Sequence, residues 1–341
     1  MERVTIAPDR EHFLRGGKPF FWIGDTVWSA FTNPTIGEWE DYLRYRKAQG
    51  FNVLQINSLP QWDRIRSDSE IYPYPLREDG CYDFAAGANS AYWDRARMLC
   101  RMANEEGFTP ALVLCWANIV PGTWLAKIFP EQVWSWAAME QHIRQTVKCL
   151  DEFAPVYLVS GDADLNNPET VRYYQMSLEL LKETAPLSLR TMHLVSGSSD
   201  LTPELADACD FYVVQTGHWG NTPELPDELP TRMRGLFPGK PVLNAEPCYE
   251  QMPKLNGRWD EPPEAYFSAE DVIDVCRRSI LAGARAGITY GANGLWNWCR
   301  EGGQADGLAV GMYAQPVTWR DAMCFPGAAS IAQLKDLAYE M

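Results

Sequence analysis

Short apolar runs alternate with longer amphipathic stretches along the whole chain, and the alternation is regular. Eight runs read as strands: Pro19–Ile23, Asn52–Ile56, Thr109–Cys115, Val156–Val159, Arg190–Val195, Phe211–Gln215, Pro241–Asn244 and Gly287–Tyr290. Between them, helical spacing predicts helices over Thr35–Gln49, Ala91–Glu106, Pro130–Phe153, Pro168–Thr184, a short Pro203–Ala208, Leu229–Leu236, Ser268–Ala284 and Ala328–Tyr339. The stop signals agree with these bounds. Thr35 and Glu38 have capping-box spacing, Gly50 and Gly107 follow two helix ends, and Pro155 and Pro186 follow two more.

A strand-then-helix unit repeated eight times predicts an α/β protein built as one (β/α)8 TIM barrel over residues 1–341, with a C-terminal helix closing the ring. A doubly wound sheet is the rival architecture. No Gly-x-Gly-x-x-Gly turn follows the first strand, so the barrel is preferred. Two long connections, Ser58–Asn89 and Trp116–Phe129, are expected to shape the mouth of the cleft.

Composition narrows the partners. The chain has 341 residues and a net charge of −15, with no Lys/Arg-rich run, which argues against nucleic acid and anionic membrane surfaces. Met1–Arg10 is polar, and no run is long enough to span a bilayer. Nine cysteines are scattered without a Cys-x-x-Cys pair, a pattern of reduced thiols rather than of a disulfide framework, so the cytoplasm is the expected compartment. Most of the 14 Trp, 15 Tyr and 13 Phe are expected in the core, but 14 Trp is high for this length, and indole faces suit the C–H side of sugar rings.

In a barrel, residues that follow the strands converge on one face. Here they are Asp25 and Trp28 after the first strand, Gln55 and Asn57 at the second, and Trp116 at the third. Asp162 and Asp164 follow the fourth, His193 lies in the fifth, and Gln215 with His218 comes at the sixth. Glu246, Tyr249 and Glu250 follow the seventh, and Trp296 and Trp298 the eighth. Acids, amides and aromatics in one place are the chemistry of a carbohydrate site. Cleaving a glycosidic bond needs two carboxyl groups flanking it. Asp162 and Glu246, on strands roughly opposite each other, are the candidate pair.

Other chemistries fit less well. Four histidines without a His-x-His after the first strand make a poor metal site, although His193 and His218 with Asp162 offer ligands for Zn²⁺. No Gly-x-Ser-x-Gly elbow is present to carry a serine nucleophile. No metal and no other cofactor is expected.

The segments Gly17–Trp28, Tyr42–Arg46 with Gly50–Gln55, Ser160–Asp162, Asn244–Glu250, Gly287–Ala292 and Trp319–Gly327 together resemble the apiosidase-like (DUF4038) barrel family, related to glycoside hydrolase family 140. The resemblance covers essentially the whole chain. It implies a retaining-type glycoside hydrolase with Asp162 as acid/base, Glu246 as nucleophile and Asp25 in the sugar-binding subsite. A cytoplasmic chain without the extra C-terminal β-domain of many relatives suits a small glycoside or oligosaccharide, cleaved in exo fashion. A non-catalytic sugar-binding barrel is the alternative, with a metal-dependent hydrolase or lyase third.

Overall fold

The first apolar run divides at Phe21. In the computed structural model, which describes residues 1–63, 71–255, 265–303 and 317–339, Pro19–Ile23 contributes to two strands instead of one. Val4–Ile6 (β1), Phe13–Arg15 (β2) and Lys18–Phe20 (β3) form a small antiparallel sheet, and the first barrel strand is Trp22–Thr26 (β4). The hairpin between β2 and β3 turns on Gly16 and Gly17, at φ 59° and 71°. Positive φ at both central residues is what a two-residue hairpin of matching twist requires, and glycine supplies it without steric penalty. Phe13 of this sheet packs its ring 5.1 Å from Phe211 and 6.5 Å from Trp22, so the hairpin caps one end of the barrel.

Seven more parallel strands complete the barrel: Val53–Asn57 (β5), Thr109–Trp116 (β6), Val156–Gly161 (β7), Arg190–Thr191 (β8), Tyr212–Gln215 (β9), Val242–Glu246 (β10) and Gly287–Tyr290 (β11). Their spatial order is β8-β7-β6-β5-β4-β11-β10-β9, the nearly closed ring of a (β/α)8 barrel. Every residue of β4, β5, β6, β7 and β10 is buried, as expected for strands covered by helices outside and by side chains within. β8 is much shorter than the predicted Arg190–Val195: its ladder to β7 stops at Thr191, and pairing with that side resumes at a bridge between Leu194 and Ala163. Between β8 and β9 the contacts are single bonds, with Asp210 N–H to Arg190 O at 2.9 Å and Gly197 N–H to Gln215 O at 2.9 Å.

The outer helices follow their caps. Ile36–Ala48 (α1) starts at a reciprocal capping box, in which Thr35 Oγ accepts the Glu38 N–H and Glu38 accepts the Thr35 N–H. Ser90–Glu105 (α2) follows. The predicted Pro130–Phe153 helix is shorter: after Trp124–Ile128 (α3) and a 3₁₀ turn at Pro130–Gln132, Ser135 caps Trp136–Leu150 (α4). Pro168–Thr184 (α5) and Pro203–Ala208 (α6) keep their predicted bounds. Leu225–Leu236 (α7) begins earlier than predicted, and Ala269–Leu281 (α8) is capped by Ser268. The last predicted helix is broken into Pro326–Ile331 (α10) and Lys335–Tyr339 (α11), preceded by Trp319–Met323 (α9). Among the described residues no helix is long and apolar enough to cross a membrane.

Candidate active site

The C-terminal ends of the strands surround a cavity of about 690 Å³ of free space, partly open to solvent. Asp162 enters it from the end of β7, where its own φ is 53°. Aspartate tolerates this left-handed conformation better than most residues. The residue before it has to be glycine, since a Cβ on Gly161 would meet the Trp116 ring at 2.3 Å. Glu246 enters from the end of β10, just past a register shift against β9. Asn244 Oδ1 accepts the Glu246 N–H at 3.2 Å, while its Nδ2 donates to Thr216 and Ser279 at 3.0 Å each. Those three contacts fix the backbone from which Glu246 projects.

Two imidazoles turn toward Glu246. His218 Nδ1 accepts the Tyr249 N–H at 3.3 Å, so its proton sits on Nε2, 3.2 Å from Glu246 Oε1. His193 is fully buried, with Nδ1 facing the Asp162 N–H at 3.4 Å and Nε2 lying 3.4 Å from Glu246 Oε2. Ser160 holds the His193 backbone on both sides, accepting its N–H and donating to its carbonyl at 2.9 Å each. Asp162, His193 and Glu246 thus bring one potential ligand atom each within 4.8 Å of the others, the spacing an ion would need.

The two carboxyl groups are pushed in opposite directions. Burial raises the Asp162 pKa, and the nearby negative charge of Glu246 adds to it; together they outweigh His193, Gln215 and His218 and carry it to about 7. Burial also opposes ionisation of Glu246, but His193 and His218 win there and hold it well below the usual carboxylate range.

Eight of the expected residues line the cavity together: Asp162, Glu246, Trp28, Trp116, Gln215, His218, Tyr249 and Trp296. Tyr249 OH accepts from Trp28 Nε1 at 3.2 Å, and the Trp28 and Trp116 rings meet edge to face at 5.1 Å. His193 lies behind the pair. Asp164 is displaced to a supporting place, where it accepts the Trp124 N–H at 2.7 Å and the Asn166 amide at 3.2 Å.

Five others are directed elsewhere. Asp25 has no exposed surface and faces the helix layer, where it pairs with Arg46 and accepts from Tyr42 OH at 2.8 Å. Gln55 fills the barrel interior, donating to Ala245 O and accepting from Thr289. Asn57 turns the following loop by accepting the Leu59 N–H and donating to Gln61. Glu250 accepts from Tyr290 OH at 2.6 Å and from the Gly327 N–H at 3.0 Å. Trp298 stacks on Trp319 at 4.8 Å, outside the cavity.

The cavity also takes residues that strand ends did not single out: Gln61, Trp62, Asp63, Trp124 and Trp219 among them. Asp63 is a third carboxyl, 5% exposed, whose pKa burial and the charges of Asp162 and Glu246 raise to about 7. Trp124 Nε1 donates to the Asp162 carbonyl at 2.9 Å. The 64–70 part of the expected mouth loop lies outside the described residues.

Comparison with known proteins agrees with this architecture. A glycoside hydrolase structure is similar at a TM-score of 0.78 and 21% identity, covering 98% of this chain and 74% of that one. A glycoside hydrolase family 5 structure from Bacteroides vulgatus gives 0.76 at 21% identity, over 98% and 71%. A family 5 mannosidase from Rhizomucor miehei gives 0.65 at 11% identity, over 100% of this chain and 98% of that one. At such identities the likeness is one of fold. No curated protein matches the sequence. The model of the apiosidase-like catalytic domain matches residues 8–341, so the chain belongs to the apiosidase-like catalytic-domain family and is a glycoside hydrolase.

Proposed function

We propose that this chain, acting as one barrel, is an exo-acting, retaining glycosidase that uses Glu246 as nucleophile and Asp162 as acid/base. The observation that carries the reading is the opposite tuning of two carboxyl groups facing one cavity. Pairs of acids whose surroundings drive their pKa values apart are how glycosidases assign donor and nucleophile at neutral pH.

The ionised Glu246 attacks the anomeric carbon while Asp162 gives its proton to the glycosidic oxygen. The bond to the leaving group breaks and a covalent glycosyl-enzyme forms. Asp162, now a carboxylate, takes a proton from water, which attacks the same carbon and frees both sugar and Glu246. One oxygen of Asp162 lies within 4.8 Å of one of Glu246, so the two carboxyl groups face the same point of the cavity. His218 and His193 keep Glu246 anionic and oriented. Trp28, Trp116 and Trp296 supply apolar walls, and Gln215 and Tyr249 offer polar groups to hydroxyls. A neutral glycone in a small glycoside or oligosaccharide fits this lining. The cytoplasm suits nine cysteines that form no disulfide.

The test is turnover of aryl apioside, arabinofuranoside, glucoside and galactoside by the wild type and by Glu246→Gln. Cleavage of one member, lost by orders of magnitude in the variant, with the first-formed sugar keeping its anomeric configuration by NMR, is expected. Binding without turnover across the panel would favour a non-catalytic sugar-binding barrel instead.

A further inference from the structure

Glycosidic cleavage uses two carboxyl groups, and the cavity holds a third. Asp63 lies in the connection after β5 and is only 5% exposed. Two amides hold it in place. Asn57 Nδ2 donates to Gln61 Oε1 at 2.8 Å, which leaves the N–H groups of Gln61 for the Asp63 carboxyl. A buried acid beside two others is unfavourable, because the negative charges of Asp162 and Glu246 oppose its ionisation. Neither proton donation nor nucleophilic attack requires it.

The rest of the cavity favours the same sign of ligand. Its described lining includes six indoles, those of Trp28, Trp62, Trp116, Trp124, Trp219 and Trp296, and no lysine or arginine. The face of an indole attracts a cation more strongly than that of any other aromatic side chain. Gln215, itself 6% exposed, contributes an acceptor, since its Oε1 has no hydrogen-bond partner in the protein. Asp162 Oδ1 is a second buried acceptor without one. An ammonium group carries a positive charge, three donors and no acceptor, which is the complement of such a lining. A hydroxyl satisfies one acceptor and leaves the charge of three acids uncompensated.

We propose that Asp63 is a specificity-determining residue that holds an ammonium group of the substrate, so that the enzyme acts on a glycoside bearing a basic amine. The inference rests on the glycosidase reading, and adds a charged substituent to the neutral sugar of that reading. Asp63 supplies the counter-charge, and the indole walls and the Gln215 carbonyl surround it. Acidic sugars are turned away by the same three carboxyl groups.

Isothermal titration at neutral pH with 2-amino-2-deoxy-D-glucose, 6-amino-6-deoxy-D-glucose, D-glucose and D-glucuronate compares one ring bearing a positive charge, none, or a negative one. At least one amino sugar is expected to bind about tenfold or more tightly than glucose, and glucuronate more weakly than glucose. In Asp63→Asn, the preferred amino sugar is expected to fall to the affinity that glucose shows for the same variant. A crystal of the wild type soaked in that amino sugar is expected to place its nitrogen within hydrogen-bond reach of Asp63. No preference for either amine overturns the proposal, as does a preference that Asp63→Asn retains. A nitrogen bound out of reach of Asp63 overturns it without recourse to a variant. Failure of the glycosidase reading looks different: the preference for the amine stands, and no aryl glycoside turns over.

Discussion

Arg46 Nε lies 2.6 Å from Asp25 Oδ2, and neither side chain has any exposed surface. The pair joins the first barrel strand to α1, and Arg46 also donates to Met323 O at 3.2 Å near the C-terminal helices. Removing one partner of such a pair leaves a charge stranded in the interior. Asp25→Ala is therefore expected to lower stability by about 3–5 kcal/mol, whereas Asp25→Leu with Arg46→Met recovers most of the loss. Urea unfolding of the wild type and the two variants checks this. An Asp25 variant of normal stability but raised KM would return this residue to the sugar subsite.

Leaving-group dependence separates the two carboxyl groups. Asp162→Asn is expected to slow substrates with poor leaving groups by about 10²–10⁴-fold while sparing activated aryl glycosides, which need no proton. Glu246→Gln should abolish both classes. Steady-state rates on a series of aryl glycosides graded by phenol pKa supply the readout, and equal losses in Asp162→Asn across the series would remove it as the acid.

Activity should fall as pH rises through about 7, where Asp162 loses its proton. Stability carries the same signature with a definite sign. The folded pKa of Asp162 is raised from 3.8, so its contribution is full below that value and is lost as pH climbs toward about 7. Asp162→Asn, which cannot ionise, is therefore expected to gain in Tm over the wild type across that window. Glu246 works in the opposite sense: its pKa is lowered from 4.5, so its contribution is full above that value and lost only in strong acid. Glu246→Gln should accordingly be less stable than the wild type at neutral pH. Melting curves of both variants from acid to neutral pH decide the matter.

A methyl group at Gly161 would strike the Trp116 ring at 2.3 Å. Gly161→Ala leaves both carboxyl groups in place yet displaces a wall of the cavity. The expected result is a lower kcat/KM with about 1–3 kcal/mol of lost stability, the usual range for overpacking. Unchanged kinetics would mean that the Trp116 wall plays no part in holding substrate.

Strand positions and the meeting of Asp162 and Glu246 at one cavity were legible because burial on both faces leaves continuous apolar runs, and because Asp162 and Glu246 follow two of them within three residues. Alternation within the strand ends was not legible. Asp25, Glu250 and Trp298 all lie near the mouth, yet they project outward to Arg46, Gly327 and Trp319. A strand end fixes height in the barrel; which way a side chain points depends on a local register that one shift, as at Asn244–Glu246, can change. Trp62, Asp63 and Trp124 were missed because they belong to the connections after β5 and β6, Trp124 opening the short α3, and the paths of such connections follow from contacts and not from periodicity. The β2–β3 hairpin did have a signal: Gly16-Gly17 between two short apolar runs.

β8 is two residues long, and it meets β9 through scattered single bonds. His193 follows it by two positions. The imidazole between the Asp162 and Glu246 carboxyl groups thus hangs from the seam with the fewest stitches, where local opening needs less free energy than unfolding the whole barrel. Denaturant is expected to part that seam first. Turnover should then vanish at a lower urea concentration than the bulk of the tryptophan fluorescence, leaving a molecule without activity while most of its strands are still paired.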